Sequence, residues 1–192
     1  LKQLKEFSGG TSKTELRKAF IECAAIETFF LWNKFKKDKE REDKEQNEET
    51  LYVGGGKTTL DQVAQRQLDD GDIPDQFKRQ MFYTFGDYRD LCLGKDIGSD
   101  VTEVENNIKV VFQKNGKTGV QEREKWWEQH GKDIWKGMVC VLSYDTDSKQ
   151  IKQDVQDKLV GSKSGNKYDY TNVSFSGGFN GDSTTKLEKF AS

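Results

Sequence analysis

Three long segments of the chain carry apolar residues at helical spacing, and this feature constrains the fold more than any other. At about 100° per residue, the apolar side chains of each segment gather on one broad stripe. The stripes predict three long helices, over residues 15–39, 74–93 and 120–144. Strand-like alternation extends no further than residues 172–175. The sequence therefore predicts an all-α fold, a bundle of three long helices with shorter connecting helices and polar loops.

Length and charge narrow the class of protein. The 192 residues fit one helical domain, 1–192, with enough chain to bury a core. The 31 basic and 33 acidic residues leave a net charge of −2, so no overall field favours nucleic acid or an anionic membrane surface. No apolar run approaches the roughly 20 residues that span a bilayer, and Leu1 opens into a polar helical pattern without a signal peptide. We therefore expect this segment to contact neither nucleic acid nor a membrane.

Two polar stretches predict flexible loops within the domain. The first, 36–58, begins as a run of mixed charges at i,i+4 spacing, which favours a solvated helical extension that frays. This stretch continues into Gly54, Gly55 and Gly56. The second, 161–182, is rich in Gly, Ser and Asn. We expect neither stretch to offer the compact apolar anchor that dominates binding hot spots.

Patterns for catalysis or metal binding are weak. The run Gly56-Lys57-Thr58 suggests a phosphate loop, but the P-loop pattern requires glycine at the position of Leu51, and no apolar strand precedes the run. His130 is the single histidine, and the chain contains no CxxC pair. A nucleophile needs an adjacent base, and no such arrangement is evident. We therefore predict no enzyme activity, no cofactor and no metal site.

One carboxylate falls within an apolar stripe. Glu27 lies in the middle of the stripe of the first predicted helix, which also includes Ile26 and Phe30. A buried carboxylate needs a partner, and a guanidinium can satisfy it with two parallel hydrogen bonds. Arg89 flanks the stripe of the second predicted helix. We therefore predict a buried or half-buried Glu27–Arg89 ion pair that ties the two helices together, with Arg79 as the second choice.

Three blocks of sequence, taken in order, resemble a known family. The blocks are Glu22-Cys23-Ala24-Ala25-Ile26-Glu27-Thr28-Phe29-Phe30, then Phe82-Tyr83-Thr84-Phe85-Gly86-Asp87-Tyr88-Arg89-Asp90-Leu91-Cys92, then Arg123-Glu124-Lys125-Trp126-Trp127 leading to Gly137-Met138-Val139-Cys140. They resemble the central helical part of a Duffy-binding-like domain of malaria-parasite adhesins. The resemblance is closest to the erythrocyte membrane protein one family of Plasmodium falciparum. The run Gly177-Gly178-Phe179-Asn180 and the first block resemble its beta class.

The resemblance carries expectations about structure. Domains of this family have three subdomains, and this chain is similar to the central one, stopping where the C-terminal one begins. The resemblance implies a disulfide between Cys23 and Cys140, two residues near the inward side of their helices. An exported setting would keep such a bond oxidised. Cys92 is then left over, either buried as a small apolar residue or paired outside this chain.

The resemblance also implies a function in adhesion. We expect a host-receptor-binding module on the extracellular face of the infected erythrocyte membrane, part of a larger membrane-anchored protein. Its expected partner is an endothelial protein receptor, intercellular adhesion molecule one. The alternative is a sulfated glycosaminoglycan such as chondroitin or heparan sulfate. Receptor-contacting residues stay unassigned. Because its most recognisable residues face inward, we expect the chain to be mainly scaffold and to bind receptor poorly without the C-terminal subdomain.

Overall fold

The chain folds mainly into helices. The structure, a computed structural model, describes residues 1–6, 12–48, 58–95, 98, 101–113, 119–161, 166–176 and 184–187. The helices are α1 (Lys2–Lys5), α2 (Lys13–Glu48), α3 (Leu60–Asp69), α4 (Asp75–Leu93), α5 (Thr102–Phe112), α6 (Val120–Cys140) and α7 (Gln153–Val160). Two small antiparallel sheets pair β1 (Tyr144–Asp145) with β2 (Gln150–Ile151), and β3 (Ser174–Ser176) with β4 (Thr184–Lys186). The predicted all-α class is confirmed.

The first long helix starts at a capping box. The backbone N–H of Ser12 donates to Glu15 Oε2 at 2.8 Å, and the backbone N–H of Glu15 donates to Ser12 Oγ at 3.3 Å. These reciprocal bonds satisfy donors that the first turn leaves open. The helix then runs for 36 residues, to Glu48. Residues 36–48 are therefore helical, in agreement with the helical extension that the i,i+4 charges favour, and form no separate loop.

Contacts within α2 and with α3 stabilise this longer helix. Lys44 Nζ lies 2.7 Å from Glu40 Oε1 on the preceding turn, an arrangement that supports a helix. Lys36 Nζ donates to Gln65 Oε1 of α3 at 3.0 Å. The polar run is helical because charged side chains at i,i+4 spacing pair with each other while α3 packs beside them. Residues 49–57 of the predicted loop, among them Gly56 and Lys57 of the candidate phosphate loop, lie outside the described residues.

Local signals set the ends of α4, whereas tertiary structure sets the end of α6. Pro74 is the N-cap of α4, and Gly94 ends it with a φ of 69°, the left-handed conformation that glycine adopts readily. Helix α6 stops at Cys140, earlier than predicted. A 3-10 turn, Val141–Ser143, follows it. The chain then enters β1 at Tyr144. The last predicted turn of this helix is therefore a turn and a strand.

The core lies between α2, α4 and α6. Helices α2 and α6 run in the same direction. Lys13 Nζ lies 2.8 Å from Glu122 Oε2 near their starts, and the ring of Phe29, further along α2, lies 5.8 Å from that of Tyr144, which follows α6. A side chain at Gly137 would meet Ile21 of α2, because an added Cβ lies 2.8 Å from Ile21 Cγ2. This glycine allows the two helices to approach closely.

Helix α4 runs antiparallel to α2. The ring of Phe77 lies 4.9 Å from that of Trp32, while the ring of Tyr88 lies 6.1 Å from that of Phe20. The five residues expected to face inward are all buried: Phe20, Phe77, Tyr88, Trp127 and Trp135. Aromatic contacts of this kind add to the free energy of burial.

The second predicted loop, 161–182, is partly anchored to the core. The indole N–H of Trp135 donates to the backbone carbonyl of Tyr168 at 2.8 Å. The backbone N–H of Ile73 donates to the hydroxyl of Tyr168 at 2.7 Å. Phe175, in β3, is only 2% exposed. The few large side chains in the described part of this stretch therefore pack into the bundle, while the flexibility of the stretch stays a prediction.

The three cysteines are free thiols. The thiol of Cys23 donates to Gln3 Oε1 of α1 at 3.3 Å, whereas Cys140 Sγ accepts a bond from Gln156 Nε2 of α7 at 2.9 Å. Cys92 is buried, and this burial raises the pKa of its thiol to about 12. The structure thus does not contain the Cys23–Cys140 disulfide that the resemblance implies: the Cys23 sulfur contacts α1, and the Cys140 sulfur contacts α7.

Glu27 ties α2 to α4 through a different partner from the predicted one. Glu27 is exposed, and its carboxylate accepts a hydrogen bond from the hydroxyl of Tyr88 at 2.8 Å. The next residue, Arg89, is rotated by about 100° around α4. The Arg89 guanidinium lies 3.4 Å from Asp90 Oδ1. Glu27 is therefore exposed rather than buried or half-buried, and its contact with α4 is made to the phenol of Tyr88, while the ion pair with Arg89 stays a prediction.

Candidate functional site

Five apolar residues form a partly exposed patch on one side of the bundle. This apolar patch consists of Ile26, Phe29 and Phe30 on α2, Tyr144 on β1 and Ile151 on β2. Phe30 is 63% exposed, Ile26 44%, Ile151 41% and Tyr144 38%, while Phe29 is half-buried beneath them. The patch therefore joins α2 to the small sheet of β1 and β2.

Direct contacts make the patch continuous. Ile26 and Phe30 are four residues apart, and so share one face of α2. The ring of Phe29 lies 5.7 Å from that of Phe30 and 5.8 Å from that of Tyr144. Tyr144 lies opposite Ile151 in the register of β1 and β2, which places the two side chains side by side. The patch is thus one surface rather than scattered residues.

The early end of α6 positions the tyrosine. The 3-10 turn after this helix redirects the chain, so that Tyr144 leaves the helix axis and meets α2. The turn between β1 and β2 is held by Asp145, whose Oδ1 accepts from the backbone N–H of Asp147 at 2.8 Å and of Ser148 at 2.9 Å. Lys149 completes it with a φ of 56°. These local bonds hold one edge of the patch in place.

The patch differs from the other exposed apolar residues of the described chain. Those residues are Leu1, Val63, Tyr83, Val110 and Val120. They are single residues of the chain start and of α3, α4, α5 and α6, and single exposed apolar side chains are normal on proteins. The apolar patch instead contains three aromatic rings in contact, an arrangement that is enriched at protein interfaces.

An open cavity of about 190 Å³ adjoins the patch. Phe29 and Tyr144 belong to both, so the patch and the cavity share a wall. The charged groups of the cavity wall come from α2, α3 and the segment after α6. They are Lys36, Asp69, Asp145, Asp147 and Lys152. The site therefore combines an apolar surface with a small polar recess.

A chain of polar contacts runs along the cavity wall. Lys36 Nζ donates to Gln65 Oε1, and Gln65 Nε2 donates to Asp69 Oδ1, both at 3.0 Å. Lys152 Nζ lies 3.5 Å from Asp69 Oδ1 and 3.4 Å from Asp145 Oδ2. Burial lowers the pKa of Lys36, although nearby carboxylates oppose this effect. Burial also acts on Lys152, but Asp69 and Asp145 outweigh it and raise its pKa.

The mouth of the cavity is acidic. The two backbone N–H groups that bind Asp145, first that of Ser148 and then that of Asp147, lower the pKa of its carboxyl. Asp147 is an exposed residue of the cavity wall, and its carboxylate makes no hydrogen bond or ion pair with the residues that the structure describes, although its charge favours the charged form of Lys36. The wall carries three aspartates and two lysines, and both lysines already contact protein groups. The charge balance of the wall therefore favours apolar and cationic groups over anions.

Sequence reasoning missed this site because it placed the patch residues inside the bundle. Ile26 and Phe30 were predicted to face inward with the rest of the α2 stripe, and Tyr144 was predicted to end a long helix. A signal was available in the pair Phe29-Phe30. Adjacent residues on a helix point about 100° apart, so a single neighbouring helix does not cover both rings.

His130, the single histidine of the chain, has contacts that are structural in kind. His130 Nδ1 lies 3.5 Å from Asp133 Oδ2, and its ring lies 5.0 Å from that of Trp126. Among the described residues, no group of three or more His, Cys, Asp or Glu side chains is arranged to hold a metal. In the same part of the chain, no helix has the length and apolar character to cross a membrane.

Comparisons with known proteins place the chain in a family. The model of the Duffy binding domain family matches residues 1–175. The chain is 33% identical over 82 residues to the Duffy receptor gamma form of Plasmodium knowlesi, a match that covers 40% of this chain and 8% of that protein. No solved structure matches. Because the family match covers most of its length, the chain belongs to the Duffy binding domain family, whose members are receptor-binding adhesion modules and not enzymes.

Proposed function

We propose that this chain binds a host endothelial protein receptor, intercellular adhesion molecule one, as part of an adhesin of the erythrocyte membrane protein one family, beta class. In this proposal a larger membrane-anchored protein displays the chain on the extracellular face of the infected erythrocyte. Family membership supports receptor binding in general. The similarity to a Plasmodium Duffy receptor supports a parasite surface protein. The motifs of the three sequence blocks support the finer assignment.

The apolar patch is the observation that carries the proposal. Aromatic residues that stand at the surface in contact with one another are characteristic of the centres of protein interfaces. Phe30 is the most exposed member, at 63%, and a partner that covers it would remove a large apolar area from water. The patch argues against the expectation that the chain is mainly scaffold, because it is a candidate contact surface outside the charged and glycine-rich stretches.

The charges beside the patch favour a protein over a sulfated glycan. Sulfate groups are bound by clusters of Lys and Arg with free donors. The cavity next to the patch has three aspartates against two lysines. Lys36 and Lys152 both contact protein acceptors. A sulfated chain on this surface would meet carboxylates rather than available cations, so a glycosaminoglycan is the less favoured partner.

Surface plasmon resonance with the intact chain tests the proposal. The ectodomain of intercellular adhesion molecule one, chondroitin sulfate and heparan sulfate are compared as partners at about 0.15 M and about 0.5 M salt. We expect the receptor to bind and to keep most of its affinity at high salt, because apolar contacts are not screened. Binding of a glycan alone, with a steep loss at high salt, would support the alternative. Absence of receptor binding would contradict the proposal.

A further inference from the structure

We infer that the cavity beside the apolar patch receives an arginine or lysine side chain of the protein that docks on the patch. The inference rests on the proposed function and adds the chemistry of the partner. It requires a receptor surface in which a basic residue stands next to exposed apolar residues. The argument depends on the size of the cavity, its charge and its shared wall with the patch.

The size of the cavity points to a single side chain. Its volume is about 190 Å³, whereas sites for small molecules usually enclose about 300–1,000 Å³. The rings of Phe29 and Tyr144 separate the cavity from the patch by one side-chain layer. An occupant of the cavity is therefore within reach of a molecule that lies on the patch. One long side chain of a docked protein meets both conditions.

The charge of the cavity determines which side chain it accepts. Lys36 and Lys152 are held by Gln65 and by the carboxylates of Asp69 and Asp145. The Asp147 carboxylate of the cavity wall makes no hydrogen bond or ion pair within the described residues, although its charge acts on Lys36 from a distance. An entering ammonium or guanidinium gains this carboxylate as a partner. An entering anion would be repelled by it, and like charges that face each other across an interface are costly.

The aromatic wall suits the rest of such a side chain. Arginine and lysine have apolar stems that pack along apolar surface while the charged group stays at the polar end. Phe29 and Tyr144 offer that surface, and aromatic faces also attract cations. In the chain itself, Lys36 Nζ already lies 5.7 Å from the ring centre of Trp32, another residue of the cavity wall. The recess therefore matches both ends of a basic side chain.

Nuclear magnetic resonance of the intact chain with two short peptides tests the inference. The first is acetyl-Ile-Arg-Ile-amide, and the second replaces arginine by citrulline, which has nearly the same shape but no charge. We expect the arginine peptide to shift the backbone amide resonances of Asp145, Thr146 and Asp147, and to bind several-fold more tightly than the citrulline peptide. Equal binding of the two peptides, or shifts confined to other parts of the fold, would overturn the inference.

Two matched variants sharpen the test. Asp147→Asn removes the carboxylate charge and should weaken binding of the arginine peptide by about two- to five-fold, the effect of an exposed ion pair. Asp154→Asn makes the same change at an exposed position of α7, outside the cavity wall, and should leave binding unchanged. The citrulline peptide should bind both variants equally. An equal loss of arginine-peptide affinity in both variants would contradict a role for the Asp147 carboxylate.

The outcomes separate this inference from the proposed function. If the chain prefers the arginine peptide at the cavity but does not bind intercellular adhesion molecule one, the receptor assignment is wrong and the cavity chemistry stands. If the receptor binds and the peptides show no difference, the receptor assignment stands and the inference is wrong. The receptor assignment and the cavity inference can therefore be contradicted independently of each other.

Discussion

Helix α2 carries two aromatic regions with opposite roles, one in the core and one in the apolar patch. Phe20 is fully buried, and its ring lies 5.3 Å from that of Trp126 and 6.1 Å from that of Tyr88. Phe30, about 15 Å further along the same helix, is 63% exposed. The two residues have the same chemistry. They differ in whether α4 and α6 pack over them. Burial by neighbouring helices, rather than residue type, therefore separates side chains that stabilise the core from side chains that are available to a partner.

The largest expected effect is the difference in stability between truncations of these two phenylalanines. Phe20→Ala leaves a cavity among packed aromatic rings and should lower the free energy of unfolding by about 3–5 kcal/mol. Phe30→Ala removes an exposed ring and should change it by about 0.5 kcal/mol or less. Urea unfolding followed by circular dichroism measures both values. Similar losses in the two variants would mean that Phe30 is covered in solution, and the comparison would fail.

The next largest expected effect is a pH dependence of stability that is caused by Tyr88, at the edge of the core. Burial, followed by the charge of Glu27 and the hydrogen bond to it, raises the pKa of Tyr88 well above that of a free phenol. In the unfolded chain this phenol ionises near pH 10, whereas in the folded chain it stays protonated. The contribution of Tyr88 to the free energy of unfolding is therefore fully present below about pH 10. It decreases as the pH rises further, by about 1.4 kcal/mol per pH unit.

Tyr88→Phe isolates this contribution. The variant keeps the ring in the core but lacks the phenol, so its free energy of unfolding should fall less steeply above pH 10 than that of the wild type. Below pH 9 the two curves should run parallel, separated by the loss of one hydrogen bond of about 1 kcal/mol. Parallel curves throughout the alkaline range would show that Tyr88 is open to solvent.

The smallest expected effect is at Cys140. The residue is half-buried, and its sulfur accepts one bond from Gln156, so Cys140→Ala should cost about 1 kcal/mol or less. Loss of a native disulfide would cost about 2–5 kcal/mol. Titration of the unfolded chain with a thiol reagent provides the control, and the structure predicts three reactive thiols. A single reactive thiol, with Cys23 and Cys140 recovered in one linked peptide, would contradict the structure.

The parts of the fold that local chemistry decides were predictable from the sequence. Pro74 and Gly94 mark the ends of α4 in the sequence as they do in the structure. The extent of α2 was harder to predict, because a charged run has no apolar stripe and its helix depends on side-chain pairs and on α3. The end of α6 depends on the packing of Tyr144 against Phe29, a contact between residues far apart in the chain.

The candidate site was less predictable than the fold. Periodicity identified α2 as a helix with many apolar residues, but it could not show how much of that surface its neighbours cover. Ile26 and Phe30 were placed inside for this reason, and so was Glu27. The cavity depends on side chains from α2, α3 and the segment after α6, which only the tertiary structure brings together.

A matched pair of aliphatic variants controls for general effects on receptor binding. Ile26 is 44% exposed in the patch, and Val110 is 49% exposed on α5. Helix α5 lies near the start of α2, where Lys13 Nζ is 5.3 Å from the ring centre of Phe112. The patch begins about 20 Å further along α2. Ile26→Ala should weaken binding, whereas Val110→Ala should not.

The affinity of the Phe30→Ala variant for the ectodomain of intercellular adhesion molecule one tests the central claim most directly. The claim is that the apolar patch is the contact surface of this chain, with Phe30 as its anchor. Measured by surface plasmon resonance beside the wild type and Val110→Ala, the variant should bind about tenfold or more weakly, as expected for an interface hot spot. If Phe30→Ala keeps the circular-dichroism spectrum and the receptor affinity of the wild type, the apolar patch is not the contact surface.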